Sequence, residues 1–143
     1  MTNEQMTKSP LDRIGALFET GHAALMPYFP LGFPDAETAL DVIVAMSEAG
    51  ADAFEIGLSF SDPLADGPVI QHATQIALEK GITVAKALTM IAELRSRGVS
   101  QPFLLMGYFN PMLAYGLERF DEKRQSVLAP PGRYDYDVLR PLA

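Results

Sequence analysis

The chain has 143 residues, of which 48% are hydrophobic and 20% are charged, and its formal net charge is −7. These values are typical of one soluble globular domain, and the negative charge argues against nucleic acid or an anionic membrane surface as a partner. The chain has no cysteine, which excludes disulfides and thiolate metal sites.

The beginning of the chain predicts an unstructured start, a helix and a strand. Residues 1–8 are polar and lack the apolar core of a signal peptide, so we expect a disordered start and a cytoplasmic protein. Ser9 and Pro10 are typical of a helix N-terminus. The apolar segment 23–31 has the length of a buried strand, although its prolines suit an edge or an irregular strand better.

Strands and helices alternate in the rest of the chain. Asp35 and Thr83 are typical N-cap residues, and Gly50 suits the left-handed position that ends a helix. This alternation predicts a parallel sheet, either as an open doubly wound sheet or as part of a barrel, and hydrophobic periodicity does not choose between them. The remaining predicted strands cover residues 52–60 and 103–108, and the predicted helices follow Asp35, Gly67, Thr83 and Asn110-Pro111.

The strand over residues 52–60 has two different faces. Large apolar side chains alternate with small ones, and Glu55 is the one charged residue on the small face. A carboxyl group buried on such a face has the environment that a general acid or base needs. Asp62 and Asp66 follow in one short loop. The alternative is a salt-bridged Glu55 followed by two aspartates that only form turns.

A longer pattern surrounds these carboxylates. The chain reads Phe54-Glu55-Ile56-Gly57, then Phe60-Ser61-Asp62-Pro63-Leu64-Ala65-Asp66-Gly67-Pro68, then Ile70-Gln71. This run resembles the signature of the tryptophan synthase alpha chain family, and the similarity covers about residues 27–120. Ser59 departs from the family, which commonly has proline there.

The resemblance implies an α/β fold of the TIM-barrel type. A (β/α)₈ barrel takes about 250 residues, so we expect an incomplete barrel, the N-terminal part with about three βα units. We predict this partial domain over residues 9–120 and a divergent tail over residues 121–143. A truncated or frame-shifted coding sequence is one hypothesis for the tail, and downstream DNA without barrel-like sequence in any frame would contradict it.

The resemblance also implies a reaction, the aldol-type cleavage of indole-3-glycerol phosphate to indole and glyceraldehyde 3-phosphate in tryptophan biosynthesis. Glu55 matches the family's general acid/base. Asp66 matches the carboxylate that accepts the indole N–H. Tyr108 and Tyr28 match positions that bind the substrate, and filling of the core is the alternative for both.

A partner is implied as well, the tryptophan synthase beta chain in an α2β2 complex. The interface positions of the family match Ser59, Asp62, Pro63 and Asn110, with simple turn formation as the alternative for Asp62 and Pro63. We expect no cofactor in this chain, because pyridoxal phosphate belongs to the beta chain. The two histidines have no ligand spacing with any carboxylate, so no metal site is predicted.

Two other functions remain open on the sequence. In the family, the loops that bind phosphate follow late strands of the barrel, and three parallel strands leave two unpaired edges. The chain is therefore either an enzyme component or a non-catalytic fragment that acts only by association, or is inert. Another phosphate-handling barrel with an acid/base Glu is the third interpretation.

Overall fold

The computed structural model of the protein describes residues 10–19 and 21–128. Strands and helices alternate in it, as the sequence predicts. The predictions for residues 1–8, for Ser9 and for residues 129–143 lie outside the described part. None of the described helices combines the length and the apolar character that a membrane crossing requires. The elements are α1 (Pro10–Phe18), β1 (Tyr28–Pro30), α2 (Ala36–Glu48), β2 (Phe54–Gly57), α3 (Pro68–Glu79), α4 (Val84–Ser96), β3 (Phe103–Met106), α5 (Phe109–Tyr115) and α6 (Leu117–Leu128).

The three strands form one parallel sheet in the order β1-β2-β3. Tyr28 pairs with Glu55, and Glu55 pairs with Leu104, so these three residues form one row across the sheet. Each new strand joins the same side of the growing sheet, as the successive strands of a barrel wall do. The order therefore agrees with the predicted partial barrel.

The strands are shorter than predicted. The ladder of β1 covers three residues instead of 23–31, and Pro27, which has no N–H to donate, lies directly before it. The chain before β1 still lies beside the next strand, since the Asp52 N–H donates to the Leu25 carbonyl at 2.9 Å. The predictions 52–60 and 103–108 also extend too far, because the chain turns into loops after β2 and β3.

The predicted caps of α2 and α4 are confirmed. The Asp35 carboxylate accepts the Thr38 N–H at 2.9 Å, and the Thr83 hydroxyl accepts the Lys86 N–H at 3.2 Å. Gly50 has a φ of 98°, the left-handed conformation expected just after α2. These cap and glycine residues are local signals, so the sequence predicts the helix boundaries that they mark.

The helix predicted after Asn110-Pro111 is two helices. Gly116 has a φ of 99° and ends α5, and its N–H donates to two carbonyls of that helix. The next helix, α6, continues through Leu128 and so enters the segment predicted as a divergent tail. Phe120 on α6 is buried in the core.

The core lies between one face of the sheet and the helices α2, α3, α4 and α6. Phe54 and Ile56 of β2 are fully buried on this face, and the Phe54 ring meets the Phe103 ring edge to face with centroids 5.7 Å apart. The large face of β2 is therefore the helix-covered face, as the alternation predicts. The helices contribute Leu40, Ile43, Leu88, Ile91, Leu94 and Phe120 to the same cluster.

Candidate active site

Glu55 lies on the opposite face of β2 from the core. Its neighbours in the row across the sheet are Tyr28 on β1 and Leu104 on β3, and paired residues of parallel strands project to the same side. Glu55 is half-buried, and Met106 near the end of β3 is 44% exposed. Within residues 10–19 and 21–128, this inner face is one wall without an opposite wall, as expected for an incomplete barrel.

The Tyr28 side chain extends from β1 to β2, where its hydroxyl lies against Gly57. A Cβ atom at residue 57 would collide with the Tyr28 hydroxyl, so the glycine provides the space in which the phenol lies. Burial raises the pKa of Tyr28 to about 12, and the negative charges of Asp66 and Glu55 contribute, followed by Tyr108. The phenol is therefore a neutral group that senses both carboxylates at neutral pH.

The loop of residues 60–67 joins β2 to α3 and carries Asp66. The Tyr108 hydroxyl donates to Asp66 Oδ2 at 3.2 Å and accepts the Ala65 N–H at 2.9 Å. The Tyr108 ring also packs against Phe60 with centroids 5.2 Å apart. A residue just after β3 thus holds the loop that follows β2, which brings Asp66 to the carboxyl end of the sheet.

Gln71 contacts the same loop from α3. Its Nε2 atom donates to the Pro63 carbonyl at 3.2 Å and to the Asp66 carbonyl at 2.9 Å. The sequence pattern includes Gln71 without assigning it a role. One feature of the sequence could have indicated this contact. Gln71 lies in the first turn of a helix that begins at Pro68, and a long side chain there can reach back to the preceding loop.

The four predicted interface positions differ in exposure. Asp62 and Asn110 are exposed, Pro63 is half-buried, and the neighbouring Leu64 is 85% exposed. Ser59, in contrast, is only 9% exposed. No hydrogen-bond partner of the Ser59 hydroxyl is present among the described residues. The surface formed by this loop is therefore apolar at Leu64, whereas Ser59 is buried.

The arrangement brings Glu55, Asp66, Tyr28 and Tyr108 together at the carboxyl end of the sheet. Barrel enzymes have their active sites at this end. Two carboxylates, one hydrogen-bonded to a phenol, can exchange a proton with a substrate and stabilise a positive charge. In the described part of the chain, no group of three or more His, Asp or Glu side chains is placed to hold a metal ion.

Comparisons with known proteins agree with this geometry. The family model described as tryptophan synthase alpha chain matches residues 15–129, a wider range than the resemblance over residues 27–120. The tryptophan synthase alpha chain of Chloroflexus aggregans is 56% identical over 103 residues, which cover 72% of this chain and 39% of that protein. The alpha chain of Granulibacter bethesdensis is 48% identical over 108 residues, with coverage of 76% and 39%.

Solved structures give the same result. The tryptophan synthase subunit alpha of Legionella pneumophila superposes with a TM-score of 0.78 at 33% identity, covering 84% of this chain and 46% of that one. A tryptophan synthase structure from M. tuberculosis superposes with a TM-score of 0.73 at 33% identity, with coverage of 80% and 45%. The chain spans about two fifths of the length of the curated relatives it matches.

Proposed function

Because this chain belongs to the tryptophan synthase alpha chain family, we propose that it carries the acid/base side of an active site that cleaves indole-3-glycerol phosphate. The chain covers 46% of the Legionella pneumophila subunit alpha, and its described part forms an incomplete barrel of three parallel strands. The observation that carries the proposal is the position of Glu55 on the inner face of β2, next to the loop in which Tyr108 holds Asp66. Barrel enzymes place catalytic groups at this end of their strands.

The chemistry requires two proton transfers and the stabilisation of one developing positive charge. Breaking the bond between the indole ring carbon and the glycerol chain requires that carbon to gain a proton and the neighbouring hydroxyl to lose one. Glu55 serves both transfers as general acid and base. Asp66 accepts the indole N–H and stabilises the positive charge that develops on the nitrogen. The products are indole and glyceraldehyde 3-phosphate.

The two tyrosines have separate roles in this proposal. Tyr28 lines the indole side of the site as a neutral phenol, which its raised pKa of about 12 supports. Tyr108 positions the Asp66 carboxylate through their hydrogen bond of 3.2 Å. Both contribute by fixing geometry, an effect that can change a rate by many orders of magnitude.

We also propose the beta chain as the partner. The exposed Asp62, Leu64 and Asn110 border the candidate site and provide a mixed polar and apolar surface. In this proposal pyridoxal phosphate stays with the beta chain, and the alpha reaction uses only side chains. The biosynthetic family supports a cytoplasmic location.

A second function, association without catalysis, is favoured by the unpaired strand edges of the sheet. β1 and β3 each have one unpaired edge among the described strands, and such edges pair readily with other strands. The phosphate-binding loops that the resemblance implies follow later strands of the barrel. We therefore expect efficient turnover only when the later βα units are present.

A chimera tests the catalytic proposal. Residues 15–129 replace the matching segment of the Chloroflexus aggregans alpha chain, and indole release from indole-3-glycerol phosphate is measured. We expect activity that falls about a hundredfold or more in the Glu55→Gln variant, which cannot transfer the proton. Glu48→Gln, a matched change at an exposed position of α2, leaves the rate unchanged.

The opposite result is equally clear. A chimera whose circular dichroism spectrum is that of a folded barrel, and whose indole release does not depend on Glu55, contradicts the catalytic proposal. Association through the open sheet is then the remaining function.

A further inference from the structure

We propose that Gln71 is a positioning residue for Asp66, because its side-chain amide fixes the loop that presents the Asp66 carboxylate. The inference rests on the proposed function of that carboxylate. One nitrogen, Nε2, donates to the carbonyls of both Pro63 and Asp66. The amide thus joins two points of the loop to the first turn of α3.

The loop over residues 60–67 has little else to hold it from outside. Its internal hydrogen bonds, from the Leu64 N–H to the Asp62 carbonyl and from the Asp66 N–H to the Pro63 carbonyl, set only its local shape. Its aromatic contact, Phe60 on the Tyr108 ring, lies on the β3 side, and Leu64 is 85% exposed. On the α3 side, polar contacts must therefore determine where the loop lies.

Two residues supply the side-chain hydrogen bonds that join this loop to its neighbours in the described part of the chain. Tyr108 contacts Ala65 and the Asp66 carboxylate from the β3 side, and Gln71 contacts the loop backbone from the α3 side. Without Gln71, the loop would be held on one side only. A displacement of about 1 Å in a catalytic group can cost a hundredfold in rate.

The first experiment compares Gln71→Met with Gln75→Met in the 143-residue chain. Methionine keeps the length of the side chain and removes the donor. Gln75 is the matched control, because it lies one turn later on α3 and its amide donates to Glu79 at 3.0 Å on the exposed surface. We expect amide exchange at Ala65 to become about tenfold faster in Gln71→Met and to stay unchanged in Gln75→Met.

The second readout uses Tyr28 as a sensor of the Asp66 charge. Burial is the largest cause of the raised pKa of Tyr28, which is about 12, and the Asp66 charge adds to it, so a displaced Asp66 lowers this pKa. Nuclear magnetic resonance of isotope-labelled tyrosine measures the titration, Tyr28→Phe identifies the signal, and circular dichroism confirms that the chain stays folded. Gln71→Glu, which keeps the length but cannot donate when ionised, is expected to give the same acceleration of amide exchange at Ala65, and the Tyr28 titration is compared in Gln71→Met, which adds no charge.

Neither readout requires turnover, so this test is independent of the proposed cleavage reaction. Faster exchange at Ala65 in both Gln71 variants, together with a lower pKa of Tyr28 in Gln71→Met and neither change in Gln75→Met, supports the positioning role. Folded Gln71 variants that retain the wild-type exchange and the wild-type pKa of Tyr28 overturn it. Equal acceleration in Gln71→Met and Gln75→Met overturns it as well, because the effect then belongs to the helix.

Discussion

At residue 57, the lack of a side chain decides where the Tyr28 hydroxyl lies. Any Cβ there would collide with the phenol, so Gly57 and Tyr28 fit each other across β1 and β2. The alternation in β2 predicts a small residue on the inner face, but it does not reveal what occupies the space. That information is tertiary, because the occupant comes from a strand that is distant in sequence.

Ser59, where the resemblance leads us to expect proline, carries a cost in stability that is measurable. The hydroxyl is buried and has no hydrogen-bond partner within the described ranges. A buried polar group without a partner costs about 1–3 kcal/mol. We predict that Ser59→Ala raises the free energy of unfolding by about 1 kcal/mol in urea denaturation.

The serine two residues later provides the control for this prediction. Ser61 is exposed on the same loop, so Ser61→Ala should leave the free energy of unfolding unchanged within error. A Ser59→Ala variant that is less stable than the wild type would show that the hydroxyl contributes favourably, and the prediction would be wrong.

At the scale of elements, helix caps are the best predicted features and strand ends the worst. A cap depends on side chains within one turn, and both Asp35 and Thr83 bond as their positions indicate. The end of a strand depends on where the neighbouring strand provides backbone hydrogen-bond partners. The interruption at Gly116 has a signal in the sequence, but the apolar residues on both sides favour one continuous helix.

The carboxylate residues of the candidate site are visible in the sequence, and the hydrogen bonds that hold Asp66 are not. Glu55 and Asp66 belong to a continuous motif, which a single sequence displays fully. Tyr108 and Gln71 reach the loop from β3 and α3 through hydrogen bonds. Such contacts depend on the packing of whole elements, which local patterns do not determine.

The cap of α2 predicts a pH dependence. The Thr38 backbone N–H and then its hydroxyl hold the pKa of Asp35 below its ordinary value of 3.8. Because the pKa is lowered in the folded state, the carboxylate stabilises the fold fully above about pH 3.8, and this contribution is lost as the pH falls through the folded value. We predict that Asp35→Ala lowers the Tm by a few degrees at neutral pH.

Thermal melts over a range of pH test this expectation. The difference between Asp35→Ala and wild type should shrink in strong acid, where the carboxyl is protonated. Glu48→Ala, at an exposed position near the end of α2, is the control and should show no such loss. A difference in Tm that stays constant from neutral pH into strong acid would contradict a role for the charged cap.

At the scale of the whole molecule, the sheet is asymmetric. One face is packed under α2, α3, α4 and α6, and the other carries Glu55 with no covering element in the part of the chain that is described. Stability therefore comes from one layer of helices on one sheet face. The same asymmetry exposes the candidate catalytic wall and explains why efficient turnover is expected to need the later βα units.

The central claim, that β2 turns Glu55 to an open inner face and Ile56 to the core, is tested by thiol accessibility. The chain has no cysteine, so single substitutions Glu55→Cys and Ile56→Cys report these two adjacent positions without background. We predict that a water-soluble maleimide labels the Glu55→Cys variant about a hundredfold faster or more, because labelling at the fully buried position 56 requires local opening. Equal labelling rates in the two folded variants, or faster labelling at position 56, would contradict the account.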